Sequence, residues 1–336
     1  MASVALLLGI GIVGTAIVWA GSSALERASG RLGRHYGLPR LVQGTLIAAV
    51  GSSAPEIAST VIATIRYGEF ELGVGVIVGS AVFNILVIPS LSTLLADRPL
   101  DTGRDVVYKE AQFYMLSVAA LFLVFALAVI YYPIDGPGLE GNLTRPLAFA
   151  LLLLYGLYVF VQYLDVSESD MGSVSLSRRP LLVEWALLVG GIALIIAGVE
   201  GLVFAAVGLG ETFGTPSFLW GLTVVAAASS LPDAFISVAA ARIDEPAVSL
   251  GNVLGSNIFD LLVAIPAGVL LAGATPLSFT AAVPMMAFLV VATIVLFTFA
   301  RTGMAITNGE GVAMLVLYGA FVGWLLLESI GLVSVL

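Results

Sequence analysis

Glu56, Asn84, Asp233 and Asp260 are polar side chains in the middle of apolar sequence, and each has serines beside it. They stand in the segments GSSAPE at 51–56, GSAVFNIL at 79–86, ASSLPD at 228–233 and GSNIFDLL at 255–262. Carboxylates, an amide, hydroxyls and backbone carbonyls, with no His, Cys or Met among them, form a hard oxygen donor set. Six to eight oxygens at about 2.3–2.6 Å suit Ca²⁺, whereas transition metals favour imidazole or thiolate. The donors therefore point to Ca²⁺ and alkali cations. The chain has no cysteine, so disulfides and thiolate metal sites are excluded, and its one histidine, His35, sits among loop arginines where a solvated role suffices.

The surroundings of these residues are those of a membrane. The 336 residues are 60% hydrophobic and only 10% charged, with a mean hydropathy of +1.09, whereas about a quarter of the residues of soluble domains are charged. A spanning helix needs about 20 mostly apolar residues. Cutting at polar and Gly/Pro clusters gives ten candidates: 3–25, 40–66, 71–95, 107–132, 145–164, 181–208, 216–241, 246–272, 277–300 and 311–334. The first of these lacks a basic n-region and is followed by Arg27, Arg31 and Arg34, so it reads as a retained helix rather than a cleaved signal. An Asp at the centre of a spanning helix costs about 2.5–3.5 kcal/mol on insertion scales, which makes intramembrane acids functional candidates. A buried acid that only caps a kink would account for one such residue but not for three in matched positions.

The basic residues set an orientation. With the N-terminus outside, the inner loops hold Arg27, Arg31, Arg34, Arg40, Arg98, Arg104, Lys109, Arg178, Arg179, Arg242 and Arg301, and only Arg66 and Arg145 of the 13 fall outside. This positive-inside bias predicts a multi-pass protein of the cell membrane with both termini extracytoplasmic. The net charge of −9 comes largely from loop acids such as Asp97, Asp101, Asp165, Glu168 and Asp170, read as a solvated rim.

Two blocks recur. GTLIAAVGSSAPE at 44–56 returns as GLTVVAAASSLPD at 221–233, and GSAVFNIL at 79–86 returns as GSNIFDLL at 255–262, with offsets of 177 and 176 residues. The chain reads as a duplication. Residues 1–164 form a first repeat with its motif at 44–86, 165–180 a short cytoplasmic linker, and 181–336 a second repeat with its motif at 221–262. Five helices per repeat is an odd number, so the second copy enters from the opposite side. Inverted repeats with interrupted helices are typical of secondary transporters, whose sites lie near the midplane. Pro55 and Pro232 remove backbone donors, and Gly79–Ser80 and Gly255–Ser256 are further weak points. The expectation is an all-α integral membrane bundle of ten transmembrane helices, with helices 2, 3, 7 and 8 broken around a central ion site. Freed carbonyls at such breaks are tolerated only where protein or a polar cavity satisfies them.

GSSAPE, GVGVIVGSAVFNIL, SSLPD and GSNIFDLL together resemble the motifs of the cation/calcium exchanger (CaCA) superfamily. The pairing of Glu56 with Asp233 is most similar to its potassium-dependent sodium/calcium exchangers, in a core-only prokaryotic form. The resemblance implies that Glu56 and Asp233 are the principal Ca²⁺ carboxylates and that Asn84 and Asp260 complete a central diamond of ligands. It further implies that Ser52, Ser53, Ser80, Ser229, Ser230 and Ser256 supply hydroxyls or carbonyls to flanking cation positions, and that Asp260 determines potassium coupling. Asn257, whose repeat partner is Ala81, is a ligand or a packing residue, and Thr45 and Thr223 are secondary candidates. The resemblance also implies that spans 1 and 6, with GIGIVGTA and GGIALIIAG, slide past a fixed core, with ordinary tight helix packing as the alternative role of their glycines.

Glu56 and Asp233 ionised together repel one another, and one Ca²⁺ or several monovalent ions can neutralise them, but not both loads on the same oxygens. Mutual exclusion makes exchange. The expected function is antiport of Ca²⁺ against Na⁺, with K⁺ as a further candidate cargo, by a monomeric carrier in the lipid bilayer that is no enzyme and has no prosthetic group or nucleic-acid partner. The alternative is a proton/calcium antiporter with Asp260 as the proton site. A cation channel and an intramembrane aspartyl protease fit less well: inverted repeats favour a carrier, and the protease motifs YD and GxGD do not surround these acids. Glu200, aligned with Ser23, is an interfacial acid or a residue of the outer entrance. NLT at Asn142 is expected in an outer loop.

Overall fold

The structure, a computed structural model, describes residues 3–36, 49–96, 98–135, 138–165, 178–243 and 246–329. Arg40, Thr45, Asp97, Glu168, Asp170 and most of the 165–180 linker lie outside the described residues. The first half of the chain contains α1 (Val4–His35), α2 (Ala49–Ser52), α3 (Ala54–Ile62), α4 (Phe70–Ala96), α5 (Gly103–Asp105), α6 (Ala111–Tyr131) and α7 (Arg145–Asp165). The second half contains α8 (Arg178–Phe213), α9 (Ser217–Trp220), α10 (Ala226–Arg242), α11 (Pro246–Phe259), α12 (Ile265–Ala272), α13 (Phe279–Arg301) and α14 (Asn308–Ser329). Wider π-type turns at Ala63–Tyr67, Val106–Glu110, Gly221–Val225 and Asp260–Ala264 join several of these segments.

Among the described residues, nine helical stretches are long and apolar enough to cross a membrane. The tenth expected span, 40–66, is described only from residue 49, as α2, α3 and the π-turn after them. Local chemistry starts the helices where the sequence supplies caps. Ser3 Oγ accepts from Leu6 N at 3.3 Å, and Ser278 Oγ accepts from Ala281 N at 3.4 Å. Thr307 and Glu310 form a reciprocal capping box ahead of α14.

Helix α4 is the axis of the bundle. It is apolar all round, as a helix buried on every side must be, and its most apolar window is 100% buried, against 28% for α1 and 22% for α14. The outer helices instead turn Leu6, Leu8, Ile12 and Val13 of α1 and Leu182, Val183 and Val189 of α8 outward, as a surface in contact with lipid tails requires. Two short antiparallel ladders tie the loops. One pairs β1 (Leu100–Asp101) with β4 (Ala305–Ile306), the other β2 (Glu140–Thr144) with β3 (Ala274–Ser278). Asn142 therefore lies in a strand opposite Pro276, not in a free loop.

The expected breaks are corrected in three of the four helices. Span 2 does break: Ser53 separates α2 from α3, and Pro55 falls in the first turn of α3, where a missing N–H is not needed. Span 3 does not break, because α4 runs unbroken through Gly79 and Ser80. Gly79 serves packing instead: a Cβ there would stand 2.1 Å from Leu222 O, and one on Gly75 would stand 2.6 Å from Phe218 O. In span 7, α10 runs on through Pro232, and the irregularity lies earlier, in the π-turn at Gly221–Val225. In span 8 the chain is helical through Gly255 and Ser256, and the π-turn begins at Asp260 itself. Pi-type turns inside helices frequently mark functional sites.

The glycines of α1 and α8 pair with one another. A Cβ on Gly14 would lie 2.8 Å from Gly198 O and one on Gly198 the same distance from Gly14 O, and Gly21 and Gly191 repeat this reciprocity at 2.8 Å. As position 14 rises to 21, its partner falls from 198 to 191, so the helices cross antiparallel with their backbones in contact. Arg31 adds an ion pair to Glu184 at 2.6 Å. The glycine faces thus seat α1 against α8, while Gly9 and Gly190 meet nothing within 4 Å. Gly14→Leu is expected to destabilise the protein by about 1–3 kcal/mol through overpacking, read as a lower thermal unfolding midpoint in detergent, whereas Gly9→Leu leaves the midpoint unchanged.

Candidate functional site

The elements that carry the four motifs meet at the centre of the bundle. The break before α3 presents Ser53 and Glu56, the middle of α4 presents Ser80 and Asn84, α10 presents Ser229, Ser230 and Asp233, and the α11 to π-turn junction presents Ser256, Asn257 and Asp260. All are buried, with Glu56 and Asp260 each 1% exposed and Asp233 3%.

Ser80 sits at the crossing of the two halves of the chain. Its hydroxyl shares a hydrogen bond of 2.7 Å with Ser230 and donates to Glu56 Oε1 at 3.5 Å. Ser229 also lies against Glu56, while its Oγ donates back to Ala226 O at 3.1 Å. Ser53 faces Asp260, and Asn252 and Ser256 face Asp233. Ser52 is buried in the same segment. Pro232 has no N–H to offer the carbonyl of Ala228, four residues back.

Asn84 and Asn257 form the other side of the cluster. Asn84 Nδ2 donates to Asn257 Oδ1 at 2.9 Å, and Asn257 Nδ2 donates to Ala81 O at 3.2 Å and to Tyr114 OH at 3.4 Å. Asn257 thereby spends both ends of its amide on protein and fixes Asn84, whose Oδ1 is left buried without a partner. This geometry makes Asn257 a positioning residue. Thr223 is not brought to the cluster: its hydroxyl donates to Leu219 O at 2.7 Å, within its own turn.

Glu56 Oε2, Asp233 Oδ1, Asp260 Oδ1, Asn84 Oδ1 and Ser53 Oγ are buried without a hydrogen-bond partner. An unsatisfied buried polar atom costs about 1–3 kcal/mol, and more when charged. Among the described residues, the electrostatic neighbours of these acids are one another, Glu26, serines and an asparagine, with no Lys or Arg among them. A set of buried, unpartnered oxygens with no cation beside it among the described residues is suited to receive a cation from outside. No three carboxylate or imidazole groups among the described residues converge on a single metal-holding point. An ion here must be held by one or two carboxylates completed by hydroxyl, amide and carbonyl oxygens, as a hard cation accepts.

Other groups emerge only from the folded chain. Asn252 approaches Asp233, although its repeat partner by the 176-residue offset is Val76. Tyr114 supports Asn257 from α6. Glu200, on α8, accepts from Tyr67 OH at 2.7 Å and pairs with Arg66 at 3.1 Å, so it is held by the end of span 2.

The sodium/calcium exchanger protein family matches residues 6–164 and 183–327. Inner membrane protein YrbG of Escherichia coli is 31% identical over 326 residues, covering 94% of each chain. Sodium/calcium exchanger MaX1 of Methanosarcina acetivorans is 26% identical over 345 residues, covering 92% of this chain and 95% of its own. A solved structure of the sodium-calcium exchanger NCX_Mj superposes with a TM-score of 0.64 at 26% identity, covering 96% of this chain and 99% of that one. With a multi-pass helical fold, a buried oxygen cluster and a family match over most of its length, this chain belongs to the sodium/calcium exchanger family, whose activity is the exchange of Ca²⁺ for another cation.

Proposed function

We propose that the protein is an antiporter that moves Ca²⁺ against Na⁺ by alternating access to the oxygen cluster around Glu56 and Asp233. The observation that carries this reading is the set of buried, unpartnered oxygens on Glu56, Asn84, Asp233 and Asp260, with no protein cation among the described residues to neutralise them. Two divergent loads suit such a site, a single Ca²⁺ or several Na⁺, and either one excludes the other because both need the same carboxylates. In a low-dielectric interior the empty, charged site is costly to carry across, so the carrier returns only when loaded.

In this reading the chain consists of two inverted repeats, 1–164 and 181–336, with both termini outside. The antiparallel pairing of α1 with α8 through Gly14, Gly21, Gly191 and Gly198 supports that arrangement. It also supports a pair of helices that shifts as one body against a core built on α4, opening the site first to one side and then to the other. Ser52, Ser53, Ser80, Ser229, Ser230 and Ser256 then serve the flanking positions. Potassium as a cargo draws support from the likeness to human sodium/potassium/calcium exchanger 5, 24% identical over 325 residues and spanning 67% of this chain and 62% of its own.

Two outcomes test the proposal. Proteoliposomes loaded with Na⁺ are expected to accumulate radiolabelled Ca²⁺ only while the Na⁺ gradient lasts. Uptake driven by a pH gradient alone would replace Na⁺ with H⁺ as the counter-ion, flux without any gradient dependence would indicate a channel, and stimulation by external or internal K⁺ decides its part. Separately, Glu56→Gln and Asp233→Asn each remove a charge worth roughly 3–5 kcal/mol where a buried pair is broken, a loss of more than about 100-fold in Ca²⁺ transport. Both variants should also lose the Ca²⁺-dependent rise in thermal midpoint that a ligand of the native state confers. Near-normal uptake and midpoint shift in both would remove the site assignment.

A further inference from the structure

Asn84 and Asp260 occupy matched positions in the two repeated blocks, yet they differ in one chemical respect. The two oxygens of a carboxylate are equivalent, so Asp260 offers an acceptor whichever way its group turns. An amide has one acceptor end and one donor end. Asn84 serves a cation only while Oδ1 is its open end, and a flip would set two N–H donors against the ion. The choice between the two has to be fixed by the surrounding protein.

A chain of hydrogen bonds, all running one way, fixes it. Asn84 Nδ2 donates to Asn257 Oδ1 at 2.9 Å and stands 3.5 Å from Ser80 Oγ, which leaves Oδ1 as the buried, unpartnered end. Asn257 holds this direction because its own Nδ2 donates to Ala81 O at 3.2 Å. A backbone carbonyl can only accept. The end of Asn257 that faces Ala81 O is therefore the NH2, and the end that faces Asn84 is the oxygen.

The same Nδ2 also donates to Tyr114 OH at 3.4 Å, a bond that requires the tyrosine to send its own proton elsewhere. Helix α13 supplies the acceptor. Thr293 is hydrogen-bonded to the Tyr114 hydroxyl, and Phe297, one turn further on, packs edge-on against the Tyr114 ring at 6.1 Å. Thr293 Oγ1 spends its proton on Leu289 O at 2.7 Å, which leaves its lone pairs for Tyr114. Asn84, Tyr114, Asn257 and Thr293 are all buried, so water does not compete for these bonds.

The device is one-sided. The repeat partner of Asn257 is Ala81, whose side chain has neither donor nor acceptor. An orienting amide thus stands where the ligand is an amide and is missing from the matched position, where the ligand is a carboxylate.

We propose that Thr293, Tyr114 and Asn257 form a directional hydrogen-bond chain that holds the Asn84 carbonyl toward the cation, with Tyr114 and Thr293 as positioning residues. The inference rests on the reading of the cluster as the Ca²⁺ site of the antiporter. Each dipole in the chain has its negative end toward the cluster, so the bonds strengthen one another. The backbone acceptors Ala81 O and Leu289 O set its sense.

Thr293→Val and Tyr114→Phe each remove one hydroxyl and keep the shape of the side chain. In purified full-length protein, the Ca²⁺ concentration needed for a given rise in thermal midpoint is expected to increase about threefold in either variant and about tenfold in Asn257→Leu, the scale of one lost hydrogen bond and of several. The double variant Tyr114→Phe/Thr293→Val should need no more Ca²⁺ than either single one, because the links of one chain fail together. Thr293→Ser, which keeps the hydroxyl, should match the wild type, and the apparent KM for Ca²⁺ in proteoliposomes should follow the same order. Effects that multiply in the double variant would reduce these contacts to packing and overturn the proposal while leaving the antiport reading intact. So would a lower midpoint without Ca²⁺ at an unchanged Ca²⁺ requirement, or a wild-type Ca²⁺ response in Tyr114→Phe. A wild type whose midpoint Ca²⁺ does not move would overturn the reading of the cluster, and the chain with it.

Discussion

The structure depends on one electrostatic constraint: Glu56, Asp233 and Asp260 are buried together, and among the described residues no lysine or arginine reaches them. Isolated buried carboxylates are among the most costly groups a protein can hold. Most of the local architecture softens that cost without cancelling it. Ser80 and Ser230 are shared between the two halves of the chain, Ser53 faces Asp260, and Asn252 and Ser256 face Asp233. What these neutral dipoles leave over is a set of buried oxygens without partners, and on the antiport reading the remaining deficit is what an ion supplies. The basic residues stay at the rim, where Arg31 and Arg66 form their ion pairs with more than half of each side chain exposed.

Holding such a cluster in place needs a scaffold that tolerates no slack, and glycine contacts provide it in two places. The backbones of α4 and the 217–225 segment touch at Gly75, Gly79 and Gly221, where any Cβ would come within 2.6 Å of a carbonyl oxygen. This contact fixes Ser80 opposite Ser230. The second contact, between α1 and α8, is nearly as close, at 2.8 Å, but lies at the periphery, and it joins two helices that carry none of the residues of the central cluster. A tight centre and a separately tight outer pair are what relative motion between them requires.

The sequence made the site legible where repetition and chemistry coincide. Both copies of the motif carry an acid after a proline, so Glu56 and Asp233 stand out against apolar surroundings, and the hydroxyl and amide positions follow from the second block. The break at Ser53 was legible because a proline suits the first turn of a helix, as at Pro55, although Pro232 sits inside α10 and gave the same signal. The character of Gly79 was not, because a glycine that permits close packing and one that weakens a helix look alike in one dimension. The π-turns were hidden for a similar reason: they depend on backbone register, and no residue type marks them. Asn257 could be resolved only by its hydrogen bonds to Asn84, Ala81 and Tyr114. Asn252 escaped detection because it has no counterpart in the other repeat.

That last point bears on how a chain with repeated motifs works. On the antiport reading, symmetry between the repeats would account for a site served from both sides by the same ligands, but it gives no reason for the two approaches to differ. The ions would arrive from solutions of different composition, and a carrier gains by treating them differently. The residues that break the symmetry are where such a difference has to be encoded, and Asn252, which faces Asp233 where the first repeat has Val76, is one of them.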